Sequence, residues 1–322
     1  MSELDRQRVI FAEGEEPRII AAASQLRQEY GVECLLVGAP ESIRDVASEQ
    51  GSPLDGLELV SPSDPLLLSP CAEHVQGLRQ FKSISMAERL VKKPLPFAAA
   101  MVSIGEADLM VGGATSPTKR VIEAAAMCMG YANAEGLASS YFVMDIPSRE
   151  ERMLFADCAV NVDPSAEQLA SIAVTTAQQA KALLGEPPRV AMLSFSTQGS
   201  ASHASIDKVK HAVELARTMD PSLLIDGEMQ VDTALSERVA ATKWQGESAV
   251  VGRANVLIFP SLEAGNIGYK LVQQFTGARA IGPMLQGFKH PVADLSRGAT
   301  VDEIIEVTRL ALESSASGWS IH

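Results

Sequence analysis

Four segments bring together residue types capable of chemistry. In Asp294-Leu-Ser-Arg-Gly-Ala-Thr-Val-Asp-Glu-Ile304, a serine and an arginine stand side by side ahead of a glycine. A serine hydroxyl donates to a developing oxyanion, and a guanidinium grips phosphate through two parallel hydrogen bonds, so Ser296 and Arg297 suit chemistry that gathers negative charge on oxygen. Immediately downstream, Thr300-x-x-Glu303 is a capping-box pattern, and local sequence favours Glu303 as a helix cap over a catalytic carboxylate. In Phe259-Pro-Ser-Leu-Glu-Ala-Gly-Asn-Ile-Gly-Tyr-Lys270, a strand is expected to run into a loop holding Gly265 and Gly268, with Lys270 in or near the first turn of the next helix. Glycines admit a ligand close to the backbone and helix starts attract anions. The spacing is neither GxxxxGK nor GxGxxG, and alone it favours an ordinary glycine loop with a surface lysine. Gly112-Gly-Ala-Thr-Ser-Pro-Thr-Lys-Arg120 predicts a helix capped by Ser116 with Pro117 at its first position. That stretch suits an anion-binding loop and a capped, solvated helix equally. The fourth segment, Ser194-Phe-Ser-Thr-Gln-Gly-Ser200, is a hydroxyl-rich strand end without the GxSxG of a serine hydrolase.

Such loops need a scaffold, and the rest of the chain describes one. Short apolar runs alternate with helical patterns: Arg8–Phe11, an amphipathic stretch from about Pro17 to Tyr30, Glu33–Gly38, then runs at 107–111, 141–144, 189–195, 223–226 and 254–259. Near-continuous apolar strands separated by helices read as parallel strands buried on both faces. The class is α/β, with at least two sheets expected for so many strands. Ligands in open α/β sheets bind at the carboxyl ends of strands, where all four segments lie. The polar, Pro-containing stretch Asp145-Ile-Pro-Ser-Arg149 marks the expected domain break, and a last helix is expected from about Val301 to Ser314.

Composition narrows the partners. With 322 residues, 27 Lys plus Arg and 40 Asp plus Glu, the net charge is −13. That balance argues against wrapping nucleic acid but not against an anionic small molecule held by a few arginines. Cys34, Cys71, Cys128 and Cys158 form no CxxC pair, so they read as small buried hydrophobes in a reducing compartment rather than zinc ligands. The five histidines show no metal spacing and read mostly as surface residues. The acidic N-terminus is unlike a signal peptide, and no run reaches the ~18 apolar residues of a membrane helix. A soluble, cytoplasmic protein is expected.

Taken in order, these segments resemble the phosphate acetyl/butyryltransferase family, which includes phosphate acetyltransferases. The resemblance covers nearly the whole chain from Arg8-Val-Ile-Phe-Ala-Glu-Gly-Glu-Glu16. It is densest over ANVLIFPSLEAGNIGYKLVQQF and IGPMLQGFKHPVADLSRG, between Ala254 and Gly298. Leu193–Ser200 and Asp226–Asp232 fit as well, and the length resembles the short, stand-alone form.

The resemblance implies two α/β domains with a cleft between them, isocitrate/isopropylmalate-dehydrogenase-like. The first would comprise residues 1–145 plus 297–322 and the second, dimer-forming one residues 146–296. It further implies reversible transfer of acetyl between CoA and inorganic phosphate in a ternary complex, with no metal and no cofactor beyond CoA as substrate, in a homodimer. Ser296 and Arg297 match the family's SRG, and the catalytic base falls on Glu303, with Asp302 as a possible substitute. Arg79 and Arg120 match two further site arginines. Lys270, Asn266 and Gly268 lie in NIGYK, and Thr197 and Gly199 lie in STQGS; all of these are expected to bind substrate. Departures from the pattern are Glu303 where Asp is more usual, Gln274 for Arg, Gln198 for Lys and Ala299 for Cys. The alternatives are a butyryl or other longer-chain acyltransferase and a non-catalytic acyl-CoA sensor. A nicotinamide dehydrogenase rests on fold analogy alone.

Overall fold

The computed structural model describes residues 7–149 and 151–316. The acidic N-terminal segment and His322 lie outside the described residues. In chain order the elements are β1 (Arg8–Phe11), α1 (Pro17–Tyr30), β2 (Glu33–Val37), α2 (Pro40–Gln50), β3 (Glu58–Val60), α3 (Pro65–Arg79), α4 (Ile84–Val91), α5 (Pro94–Ser103), β4 (Leu109–Gly112), α6 (Thr118–Cys128), β5 (Ser139–Asp145) and β6 (Met153–Ala156). There follow α7 (Ala166–Leu183), β7 (Arg189–Leu193), α8 (Ala204–Met219), β8 (Leu224–Met229), α9 (Val231–Leu235), α10 (Glu237–Lys243), β9 (Val256–Ile258), α11 (Leu262–Thr276), β10 (Arg279–Gln286), β11 (Val292–Asp294) and α12 (Val301–Ala316). Among the described residues, no helix is long and apolar enough to cross a membrane.

The chain folds as two compact units, Asn133–Gly287 and the residues on either side of it. Eleven strands are described, five in the first unit and six in the second. In the first unit the order is β3-β2-β1-β4-β11, every neighbour parallel. In the second it is β10-β5-β6-β9-β7-β8. There β5 runs antiparallel to both β10 and β6, a departure from the all-parallel reading. That pairing draws β5 into the second unit, so the first boundary falls after Ala132 rather than at residue 145. The pairing of β11 with β4 draws Val292–Asp294 into the first unit, ahead of the expected return at residue 297.

Helix ends follow local chemistry. Pro17 starts α1, and Gly31 ends it in the left-handed region at φ 72°, donating back to Arg27 and Leu26 carbonyls. Asp64 caps α3 by accepting from the Leu66 amide at 2.9 Å. The last helix, α12, packs on α1 within the first unit. All four cysteines are free and buried. Burial pushes the thiols of Cys34, Cys71 and Cys128 up to about 12 and that of Cys158 higher still, so none is a poised nucleophile. Of the described histidines, His203 and His211 are exposed, whereas His74 and His290 are half-buried, against the surface expectation. His74 reaches the Cys128 carbonyl at 3.2 Å and the Ser103 hydroxyl at 2.8 Å.

Candidate active site

In the first unit the strand order reverses between β1 and β4, the switch point at which an open α/β sheet leaves a crevice beyond its carboxyl ends. A cavity of about 950 Å³ lies there, lined by Glu13, Glu16, Gly38, Thr115, Ser116 and Arg120 among others. Apolar walls come from Leu90, Leu95 and Met127. Its polar rim is built by the loop after β4. Glu13 accepts from Thr115 through both the amide (3.2 Å) and the hydroxyl (2.7 Å). Gly113 sits at φ 103°, and a Cβ there would lie 2.4 Å from Asp294 Oδ1, so no other residue fits. The cap of α6 is Pro117, not the expected Ser116, and it makes no side-chain cap bond.

The Ser296–Arg297 turn follows β11, the strand beside β4. Ser296 is exposed, and its Oγ accepts from the Gly298 amide at 3.2 Å. That contact uses a lone pair, so the hydroxyl hydrogen stays available to a ligand. Arg297 is exposed as well, and among the described residues its guanidinium has no carboxylate partner. What holds the turn is Arg18, which the sequence reading passes over. From α1 its guanidinium donates to the carbonyls of Arg297 (3.0 Å), Ala299 (2.8 Å) and Ala114 (3.1 Å), while Glu16 pairs with its Nε at 2.6 Å. One side chain thus ties both loops together. The one local signal is an arginine two positions after the acidic Gly14-Glu-Glu16 stretch.

Glu303 is a cap, as local sequence favours. Its Oε2 accepts from the Thr300 amide at 2.8 Å and hydroxyl at 3.2 Å, and its own amide donates to Thr300 Oγ1 at 3.3 Å. Glu303 itself is exposed. Arg120, in the first turn of α6, lines the cavity and pairs with Glu123 at 3.2 Å. Arg79 does not line it; its Nε donates at 2.8 Å to the Met127 carbonyl in the last turn of α6, the end that favours a cation.

In the second unit the expected loop is a helix. Asn266, Gly268 and Lys270 all lie within α11, which Ser261 caps, and Lys270 is more than two turns from its start. The glycines serve packing. A Cβ on Gly265 would meet the Asp157 carbonyl oxygen at 2.3 Å, and one on Gly268 the Phe259 ring at 3.0 Å. Asn266 donates to the Cys158 carbonyl at 3.1 Å. Lys270 is exposed, with Nζ 5.5 Å from the Tyr269 ring centroid. The Ser196–Ser200 loop after β7 wraps a buried carboxylate, Glu228, which is 2% exposed. Glu228 Oε1 accepts from Ser196 Oγ (2.9 Å) and from the Gly199 amide (2.8 Å), so that amide is already bonded within the protein. Thr197 Oγ1 accepts from the Gln230 amide at 3.0 Å. Lys210 of α8 stands 3.8 Å from Glu228, bringing a cation to the loop in which Gln198 replaces the family's lysine.

Residues 2–312 match the phosphate acetyl/butaryl transferase family. A phosphate acetyltransferase of Clostridium acetobutylicum is 42% identical over 320 residues, covering 98% of this chain and 96% of that protein. The solved EutD phosphotransacetylase from Staphylococcus aureus superposes with a TM-score of 0.90 at 34% identity, covering 98% of this chain and 96% of its own. A 4-hydroxythreonine-4-phosphate dehydrogenase from Klebsiella pneumoniae, at 14% identity and a TM-score of 0.55, shares the fold alone. By sequence and by fold, the chain belongs to the phosphate acetyl/butaryl transferase family.

Proposed function

We propose that this chain catalyses acetyl-CoA + phosphate = acetyl phosphate + CoA by direct transfer in a ternary complex. The observation that carries the reading is the Ser296–Arg297 turn: the Ser296 hydroxyl accepts from the Gly298 amide and keeps its hydrogen to donate, the Arg297 guanidinium has no carboxylate partner among the described residues, and Arg18 fixes their backbone. In the direction of acetyl-CoA synthesis, Glu303 takes the thiol proton of CoA and the sulfur attacks the acetyl carbonyl. Ser296 donates to the oxyanion, and Arg297 neutralises the departing phosphate. The rest is placement: Arg120, Arg79 and Lys270 would hold the anionic parts of the substrates, with Thr197, Gly199, Asn266 and Gly268 shaping their loop and helix. Mixing the protein with acetyl-CoA and phosphate tests this. Thiol release that requires phosphate supports it, faster release from butyryl-CoA assigns the longer-chain activity, and tight acetyl-CoA binding without release indicates a sensor.

Cap and base can be separated at Glu303. Glutamine also serves at the third position of a capping box, so Glu303→Gln keeps α12 but has no basic carboxylate. Turnover should fall by about 10²–10⁴-fold, the usual contribution of a general base, with the melting temperature unchanged. Undiminished turnover would move the role to Asp302.

The same reading includes a cytoplasmic homodimer. The four unpaired cysteines fit a reducing compartment. Ile267, Leu271 and Phe275, spaced by four on α11, are 56%, 49% and 82% exposed, an apolar stripe suited to a second copy. Phe275→Glu should convert the dimer to a monomer in sedimentation. A variant that still sediments as a dimer would place the interface elsewhere.

A further inference from the structure

Two carboxyls behind the Ser296–Arg297 turn, Glu13 half-buried and Asp294 buried, have no part in the transfer described above. Glu13 follows β1, and Asp294, 1% exposed, ends β11. Each sends one oxygen to the segment that joins β4 to α6, Glu13 to the loop and Asp294 to the first residue of the helix. Glu13 Oε1 receives the Thr115 amide and hydroxyl, and Asp294 Oδ2 receives the Thr118 hydroxyl at 2.5 Å. Their other oxygens, Glu13 Oε2 and Asp294 Oδ1, are buried without any hydrogen-bond partner. Two ionised carboxylates here would leave two desolvated acceptors unpaired and would repel each other. A proton on Asp294 removes the repulsion and spares its carboxyl the cost of a desolvated charge.

The surroundings favour that proton. No basic side chain among the described residues pairs with either carboxyl. Arg18 of α1 is turned to three carbonyls and to Glu16, Arg120 of α6 pairs with Glu123, and Glu303 of α12 is bonded to Thr300. Burial, together with the charge of Glu13, pushes the Asp294 carboxyl up to about 7, against the opposing pull of the Thr118 hydrogen bond.

Resting on the acyl-transfer reading, we propose that Asp294 is a positioning residue that works as a neutral acid beside Glu13. In that form the pair clasps the Gly113–Thr118 loop to the strand that presents Ser296 and Arg297. Ionisation of Asp294 adds a buried charge that repels Glu13 and loosens the clasp.

The test is kcat against pH for the full-length protein, Asp294→Asn and Glu13→Gln. Asparagine copies the neutral acid, so the ratio of D294N to wild-type kcat should climb about three- to tenfold as pH rises through about 7, the rate equivalent of one ordinary hydrogen bond. KM for phosphate should stay put in D294N, because Asp294 is buried and does not line the cavity. A ratio that is flat across this range overturns the proposal. Infrared difference spectra of the substrate-free protein give a second reading, valid even if a variant folds poorly for assay. A protonated-carboxyl band titrating near neutrality, absent in D294N and shifted to lower pH in E13Q, supports the pair, and no such band refutes it. Wild-type protein that shows the band yet releases no CoA would overturn the proposed function and leave the acid pair standing.

Discussion

Arg297→Ala should lower phosphate-dependent CoA release by about 10²–10³-fold, the usual consequence of losing one preorganised donor from an anionic transition state. The guanidinium is exposed and has no carboxylate partner, so no internal ion pair is broken by its removal. Arg18 grips the carbonyls of residues 297 and 299, which alanine retains, so the turn and the melting temperature should hold. The loss should therefore appear in kcat as well as in KM for phosphate, since charge builds on the departing phosphate after binding. Arg297→Lys should recover only part of the rate, because an ammonium offers a point charge in place of the planar two-pronged fork. Stopped assays of thiol release at saturating acetyl-CoA decide the matter. An alanine variant retaining a tenth or more of the activity would remove Arg297 from the chemistry.

How much of this was legible in the sequence depends on where each partner lies along the chain. The bounds of α1 could be read directly, since Pro17 and Gly31 act on their own neighbours. The Thr300–Glu303 capping box is likewise local, its partners three positions apart. Strand direction was not legible. The run around Tyr141–Met144 is as apolar as the runs that form parallel strands, and only its pairing with β10 and β6 makes it antiparallel. The α11 glycines misled for a physical reason: glycine disfavours a helix interior, so Gly265 and Gly268 read as a loop. Tertiary packing overrides that preference, because the Asp157 carbonyl and the Phe259 ring occupy the space that a Cβ would need. The carboxyls that organise the loops were the least visible. Glu13 meets Thr115 and Asp294 meets Thr118 across separations of 102 and 176 residues, which no local pattern encodes.

Asp157 shows how large such a hidden contribution becomes. It is 2% exposed at the carboxyl end of β6. Its Oδ1 accepts from the amides of Ser140 (3.2 Å), Ala159 (3.1 Å) and Val160 (3.2 Å) and from the Ser140 hydroxyl. Its Oδ2 accepts from the amide (2.9 Å) and the side chain (2.6 Å) of Asn161. Asp157→Ala strands this group of donors at once, and each unpaired buried group costs about 1–3 kcal/mol. Even with partial rescue by water, a loss of about 4 kcal/mol or more is expected, a large share of the roughly 5–15 kcal/mol that holds a domain folded. The damage should spread into α11, because Gly265 packs on the Asp157 carbonyl and Asn266 donates to the carbonyl of Cys158. Activity should therefore disappear together with structure in the second unit, unlike Arg297→Ala, which removes activity alone. Asp157→Asn keeps one acceptor oxygen and should fall between the two. Denaturant melts and amide exchange of residues 139–161 read the effect directly. A shift of only about 0.5 kcal/mol, the scale of an ordinary surface substitution, would show that the loop does not depend on this carboxylate.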